Sequence, residues 1–200
     1  MQPKLFRLRT HHLLLFASGT GSNVRNIIEF FRHDPAVHIT GIVSNKPDAG
    51  VLLIAEKENI PVLLLEKERF FRGDAFLPDI SKFNPSLLIL AGFLWKVPPA
   101  LVQAFPNRIL NIHPALLPKY GGKGMYGRFV HEAVKAAGET QSGITIHLVD
   151  ELYDHGKTIF QASVDLLPED SPESIAHKIH QLEYNHFPQV IRDYLQTLPA

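Results

Sequence analysis

Cysteine is absent from all 200 residues of the sequence. This excludes a disulfide framework, a thiolate nucleophile, iron–sulfur clusters and cysteine-ligated zinc, and leaves His, carboxylate and hydroxyl groups to carry any chemistry. A charge surplus is absent too: 20 Lys and Arg face 20 Asp and Glu, and the pI lies near 7.2. A nucleic-acid-binding face needs excess cations to neutralise phosphates, so no nucleic-acid partner is expected. Long apolar runs are also missing. The longest, Leu13–Ala17 and Leu87–Trp95, fall far short of the ~20 residues a bilayer span requires, so no membrane partner is expected. The basic start MQPKLFRLRTHH has no apolar stretch leading to a small-residue cleavage site. Residues 1–12 therefore read as a short leader to the first strand, and the expected compartment is the cytoplasm.

What is present is an alternation of strand-length apolar runs with helix-period segments, the pattern of βαβ units around a parallel sheet. Leu13–Ala17 is a strand that stops at Ser18-Gly-Thr-Gly-Ser-Asn23, after which Val24, Ile27, Ile28 and Phe31 recur at helical spacing. Strands are further predicted over 39–44, 61–65, 87–91 and 109–112, with helices after the second and between the last two. Gly73 and Pro78 break any helical pattern between Glu66 and Asn84. Segments 143–149 and 158–164 alternate apolar and polar residues, as suits an antiparallel edge. Ser171-Pro172 opens a final helix, which Pro188 is expected to kink. Without internal repeats or linkers, residues 1–200 read as a single α/β domain.

Three constellations carry chemistry. Ser18–Asn23 is a glycine-rich turn at a helix N-terminus, where exposed N–H groups favour an anion; it lacks the spacing of a dinucleotide or triphosphate loop. A turn merely capped by Ser22 or Asn23 is the plainer alternative. Asn111-Ile-His113-Pro sits at the carboxyl edge of the predicted sheet, where open α/β folds place ligands. Alternation puts Asn111 and His113 on one side, an amide donor and an imidazole aimed at one point, suited to an oxyanion and a proton. After the next strand come three carboxylates, Asp150, Glu151 and Asp154. Any of the three could hold His113 as an imidazolium, and spacing does not choose among them. A metal site from His147, Asp150, Asp154 and His155 matches no standard spacing, and no metal is expected.

Ser18–Asn23, Ala91-Gly-Phe93, Asn111-Ile-His-Pro-Ala-Leu-Leu-Pro-Lys-Tyr120 and Asp154-His-Gly156 with Gln161, in this order, resemble the phosphoribosylglycinamide formyltransferases, folate-dependent enzymes of purine biosynthesis. The resemblance spans roughly Leu13 to Tyr194. It implies an open Rossmann-like three-layer α/β sandwich, mostly parallel with an antiparallel edge in the C-terminal half. It implies formyl transfer from 10-formyltetrahydrofolate, as cosubstrate, to the amine of glycinamide ribonucleotide. By it Asn111, His113 and Asp154 are catalytic, with Asp154 the acid that keeps His113 protonated. Gly21, Ser22 and Asn23 bind the substrate phosphate, while His180 and Glu183 bind the amine. Leu94, Trp95, Lys96 and Val97 bind folate, with Asp150, Glu151, Leu152 and Tyr153 closing over it and Arg69 facing its tail. The partners implied are small molecules, and the protein is read as a monomer or homodimer. The alternatives are a related enzyme with another acceptor and a non-catalytic phosphate-binding module.

Overall fold

The computed structural model describes residues 10–199; most of the predicted leader, residues 1–9, lies outside the described residues. Seven strands form one sheet: β1 (His11–Phe16), β2 (Val37–Ser44), β3 (Val62–Leu64), β4 (Leu87–Leu90), β5 (Ile109–His113), β6 (Gln141–Leu148) and β7 (Thr158–Asp165). Their order is β3-β2-β1-β4-β5-β6-β7, parallel from β3 to β5 and antiparallel from β5 to β7. The helices are α1 (Ser22–Phe31), α2 (Val51–Lys57), α3 (Lys67–Phe70), α4 (Leu77–Ser81), α5 (Pro99–Ala104), α6 (Arg128–Ala136) and α7 (Pro172–Leu195).

The strands' two-residue period builds the three layers. In β1 and β4, Leu13, Leu15, Leu87 and Ile89 face one core, shared with α1, α2, α6 and α7. Leu14, Phe16, Leu88 and Leu90 face the other, where Phe70, Ile80 and Leu101 of α3, α4 and α5 pack. Each leucine so buried contributes roughly 1.5–3 kcal/mol, which is why these strands read as continuous apolar runs. The interruption predicted between Glu66 and Asn84 appears as two short helices, α3 and α4.

Two local expectations are corrected. β1 begins at His11, inside the predicted leader, because the His11 amide donates to the Ala36 carbonyl at 2.7 Å, a ladder contact indifferent to side-chain polarity. The cap of α1 is Gly21, left-handed at φ 77°, and neither Ser22 nor Asn23 caps through its side chain. A Cβ at Gly21 would lie 2.7 Å from Val51 Cγ2, so α2 packs against a position only glycine fills without strain. The last helix, α7, continues through Pro188. Proline cannot donate to the carbonyl of Tyr184 four residues earlier, and Asn26 Nδ2 of α1 supplies that bond instead, at 3.0 Å.

Candidate active site

A cavity of about 750 Å³ opens at the carboxyl ends of β1, β4 and β5, lined by the turn 19–23, the segment 90–97, the end of β5, the loop 122–128 and the inner face of α7. On its α1 side, the first amides of that helix have no intrahelical partner, and Gly21, Ser22 and Asn23 line the cavity. The turn is tied across the sheet by Ser18, whose hydroxyl donates to Asn45 Oδ1 at 2.6 Å and accepts the Leu94 amide at 2.9 Å. Buried Asn23 and Glu183 and the half-exposed His180 form a chain: Asn23 Nδ2 donates to Glu183 Oε2 at 2.9 Å, and His180 Nδ1 meets the same oxygen at 2.9 Å. The Glu183 carboxylate raises the proton affinity of His180 above its ordinary value, against the opposing effect of burial. Asn23 Oδ1 is buried without a donor.

Asn111 and His113 leave β5 on one side, as alternation requires, and both line the cavity. His113 is 4% exposed. Its Nε2 lies 2.8 Å from the Tyr120 carbonyl, which can only accept, so Nε2 carries a hydrogen. Its Nδ1 faces Asp154 Oδ2 at 3.6 Å. Burial pushes the imidazole below its ordinary value; Asp154 and the Tyr120 carbonyl pull the other way and do not overcome it. Burial thus works against the imidazolium expected from the sequence, and Asp154 works for it.

Among the three acids, local geometry selects Asp154. Asp150 Oδ1 accepts the Leu152 amide at 2.8 Å, and Glu151 takes the Gln103 amide at 3.0 Å and does not line the cavity. Asp154 is turned inward by a left-handed backbone at φ 56°. Gly156 makes this return possible: a Cβ there would lie 1.8 Å from the Leu148 carbonyl oxygen. Burial pushes the Asp154 carboxyl up, but its neighbours, among them His113 and the Gly122 amide, which donates at 2.8 Å, outweigh it and hold the group below its ordinary value.

Leu94, Trp95, Lys96 and Val97 line the wall opposite α7, with Asp150, Leu152 and Tyr153 at its edge. Trp95 packs against Phe70 and Phe71 at 5.7 and 5.5 Å, and Lys96 Nζ sits 5.6 Å from the Tyr153 ring centre. Arg69 is not brought to the cavity. It is held by Asp79, by the Ala75 carbonyl at 2.9 Å and over the Phe76 ring, a structural tie that the isolated motif did not reveal. Two lining histidines escaped the sequence reading, His131 of α6 and His147 of β6 in this setting; both are buried by pairings remote in sequence, and no local spacing marks them.

A family model described as formyl transferase matches residues 11–191. Among curated proteins, the chain is 41% identical over 190 residues to a chloroplastic phosphoribosylglycinamide formyltransferase of Arabidopsis thaliana, covering 92% of this chain and 65% of that protein. It is 33% identical over 186 residues to the phosphoribosylglycinamide formyltransferase of Bacillus subtilis, covering 90% and 93%. The chain thus spans less than two thirds of the plant relatives' length, 65% and 61%. Among solved structures, glycinamide ribonucleotide transformylase 1 of Symbiobacterium toebii superposes with a TM-score of 0.86 at 28% identity, over 98% of this chain and 92% of that one. The phosphoribosylglycinamide formyltransferase of Coxiella burnetii does so at 0.82 and 34%, over 92% and 86%.

Proposed function

This chain belongs to the formyl transferase family, and from that premise we propose that it transfers the formyl group of 10-formyltetrahydrofolate to the amine of glycinamide ribonucleotide. The observation that carries the reading is the convergence of Asn111, His113 and Asp154 on one cavity beside an anion-favouring turn. Gly21, Ser22 and Asn23 take the phosphate, and Glu183 with His180 takes the amine end. Leu94, Trp95, Lys96 and Val97 take the folate, closed over by Asp150, Leu152 and Tyr153. Glu151 serves that edge only indirectly, and Arg69 is left out.

The amine nitrogen attacks the formyl carbon, and the carbonyl electrons move onto oxygen. Asn111 donates to that oxyanion, a preorganised contact that acts only as charge develops. The attacking nitrogen's surplus proton passes to His113 at Nδ1, where Asp154 stabilises the imidazolium as it forms. The C–N10 bond then breaks, its electron pair goes to N10, and His113 returns a proton there, giving tetrahydrofolate and the formylated amide. A ring with lowered proton affinity suits this part, since it must both take and return the proton within one turnover.

We read the chain as a single domain acting on small molecules, as a monomer or homodimer in the cytoplasm. Among the described residues no helix is long and apolar enough to cross a membrane. The test is release of tetrahydrofolate from 10-formyltetrahydrofolate with and without glycinamide ribonucleotide. Amine-dependent release supports the reading. Release indifferent to the amine indicates water as acceptor, and no release at all overturns formyl transfer.

A further inference from the structure

We propose that His147 is a positioning residue that sets which way the Asn111 amide points, an assignment that rests on the formyl-transfer reading above. His147 is 2% exposed and stands opposite Asn111 in the β5–β6 register. Its Nδ1 lies 2.8 Å from the Leu148 carbonyl oxygen. A carbonyl only accepts, so Nδ1 carries the hydrogen, and in the neutral ring Nε2 keeps a bare lone pair. That lone pair is 3.0 Å from Asn111 Nδ2. The amide NH2 group donates to it with one hydrogen and keeps the other for the cavity. Turned over, Asn111 would set its own oxygen against the lone pair, losing the bond and facing the developing oxyanion with an acceptor.

The same ring faces Asp154 Oδ1 across 3.6 Å, beyond hydrogen-bond reach. While His147 is neutral, Asp154 stays available to His113, whose Nδ1 lies 3.6 Å from the other oxygen. A proton added to His147 Nε2 would point at Asp154 and expel the Asn111 donor. The chain Leu148 carbonyl, His147 tautomer, Asn111 amide is therefore a one-way instruction written in backbone geometry. Among the described residues, His113 and Asp154 are the titratable groups that face the ring, and Asn111 is the side chain within hydrogen-bond distance of it.

The experiment pairs kinetics with nitrogen-15 NMR of the imidazoles. His147→Leu is expected to lower kcat by about 100-fold, near the lower end for loss of an oxyanion donor, with KM for glycinamide ribonucleotide within about twofold. His147→Gln, whose side-chain oxygen can accept the Asn111 hydrogen, is expected to recover most of that loss. In an Asn111→Ala background His147→Leu should cost no more than about threefold, since the donor it orients is already gone. Multiplying losses in the double variant, or a Gln variant as poor as the Leu variant, overturns the proposal. So does an NMR spectrum of the unsubstituted protein with the proton on Nε2, and this reading survives any variant that fails to fold. If the unsubstituted protein transfers no formyl group, the functional reading fails, while the spectrum still judges the tautomer.

Discussion

The two halves of the sheet contribute to the cavity by different physical means. The parallel half, from β3 to β4, presents main chain: the amides at the start of α1 and the segment after β4, positioned by Gly21 and by the Ser18 hydroxyl. The antiparallel half, from β5 to β7, presents titratable side chains: His113 and Asp154, with His147 between Asp154 and Asn111. Main-chain donors cannot be titrated or rotated, so they suit holding a substrate. Side chains whose proton affinity depends on burial and neighbours suit moving a proton. The proposed function divides binding and chemistry along the sheet, and on that proposal substitutions in the two halves should fail differently.

The largest effects belong to the antiparallel half. Asn111→Ala and Asp154→Asn are expected to lower kcat by ~100-fold to ~1000-fold with little change in melting temperature. Asparagine tolerates the left-handed backbone that Asp154 adopts at φ 56°, so the second variant removes charge and keeps the loop. Steady-state kinetics beside a thermal melt would check both. A matching loss of stability would blur the proposed division.

In the parallel half Gly21→Ala is expected to act the other way. Its Cβ would meet Val51 Cγ2 at 2.7 Å at a φ of +77°, costing roughly 1–3 kcal/mol of stability. The displaced turn should raise KM for the phosphate-bearing substrate about tenfold while kcat stays within a few-fold. Denaturant unfolding and substrate titration measure the two parts separately.

How far the sequence revealed these halves follows the same division. The parallel strands announce themselves because residues such as Leu13, Leu14 and Leu15 are buried on both faces, and the turn after β1 is contiguous with the glycine that shapes it. Asn111 and His113 were legible as a pair because strand alternation is local. The choice of Asp154 came through the family resemblance and not from spacing, since its placement depends on a left-handed residue and on Gly156 packing against Leu148. His147 acquires meaning only through its cross-strand neighbour Asn111, 36 residues away. Arg69 shows the converse: a cation near the right segment is consumed by Asp79, a partner that no motif displays.

The smallest expected effect lies away from the cavity and serves as a control. Asp170 accepts the Leu167 amide and the Ser174 hydroxyl at 2.7 Å each and pairs with Lys178, which hold its carboxyl down at about 2. A carboxylate with a depressed pKa stabilises the fold above its unfolded value, near 3.9, and loses that contribution as pH falls toward about 2. Asp170→Asn should therefore lower the melting temperature at pH 7, with the gap to the unsubstituted protein closing between about pH 4 and pH 2. Activity at neutral pH should not move.

The central claim is that the antiparallel half performs the proton transfer, and turnover of His113→Ala tests it most directly. With saturating 10-formyltetrahydrofolate and glycinamide ribonucleotide, the predicted outcome is a kcat lower by ~100-fold to ~1000-fold, with substrate affinity retained in the parallel half. Near-native turnover in a folded His113→Ala protein would contradict the account.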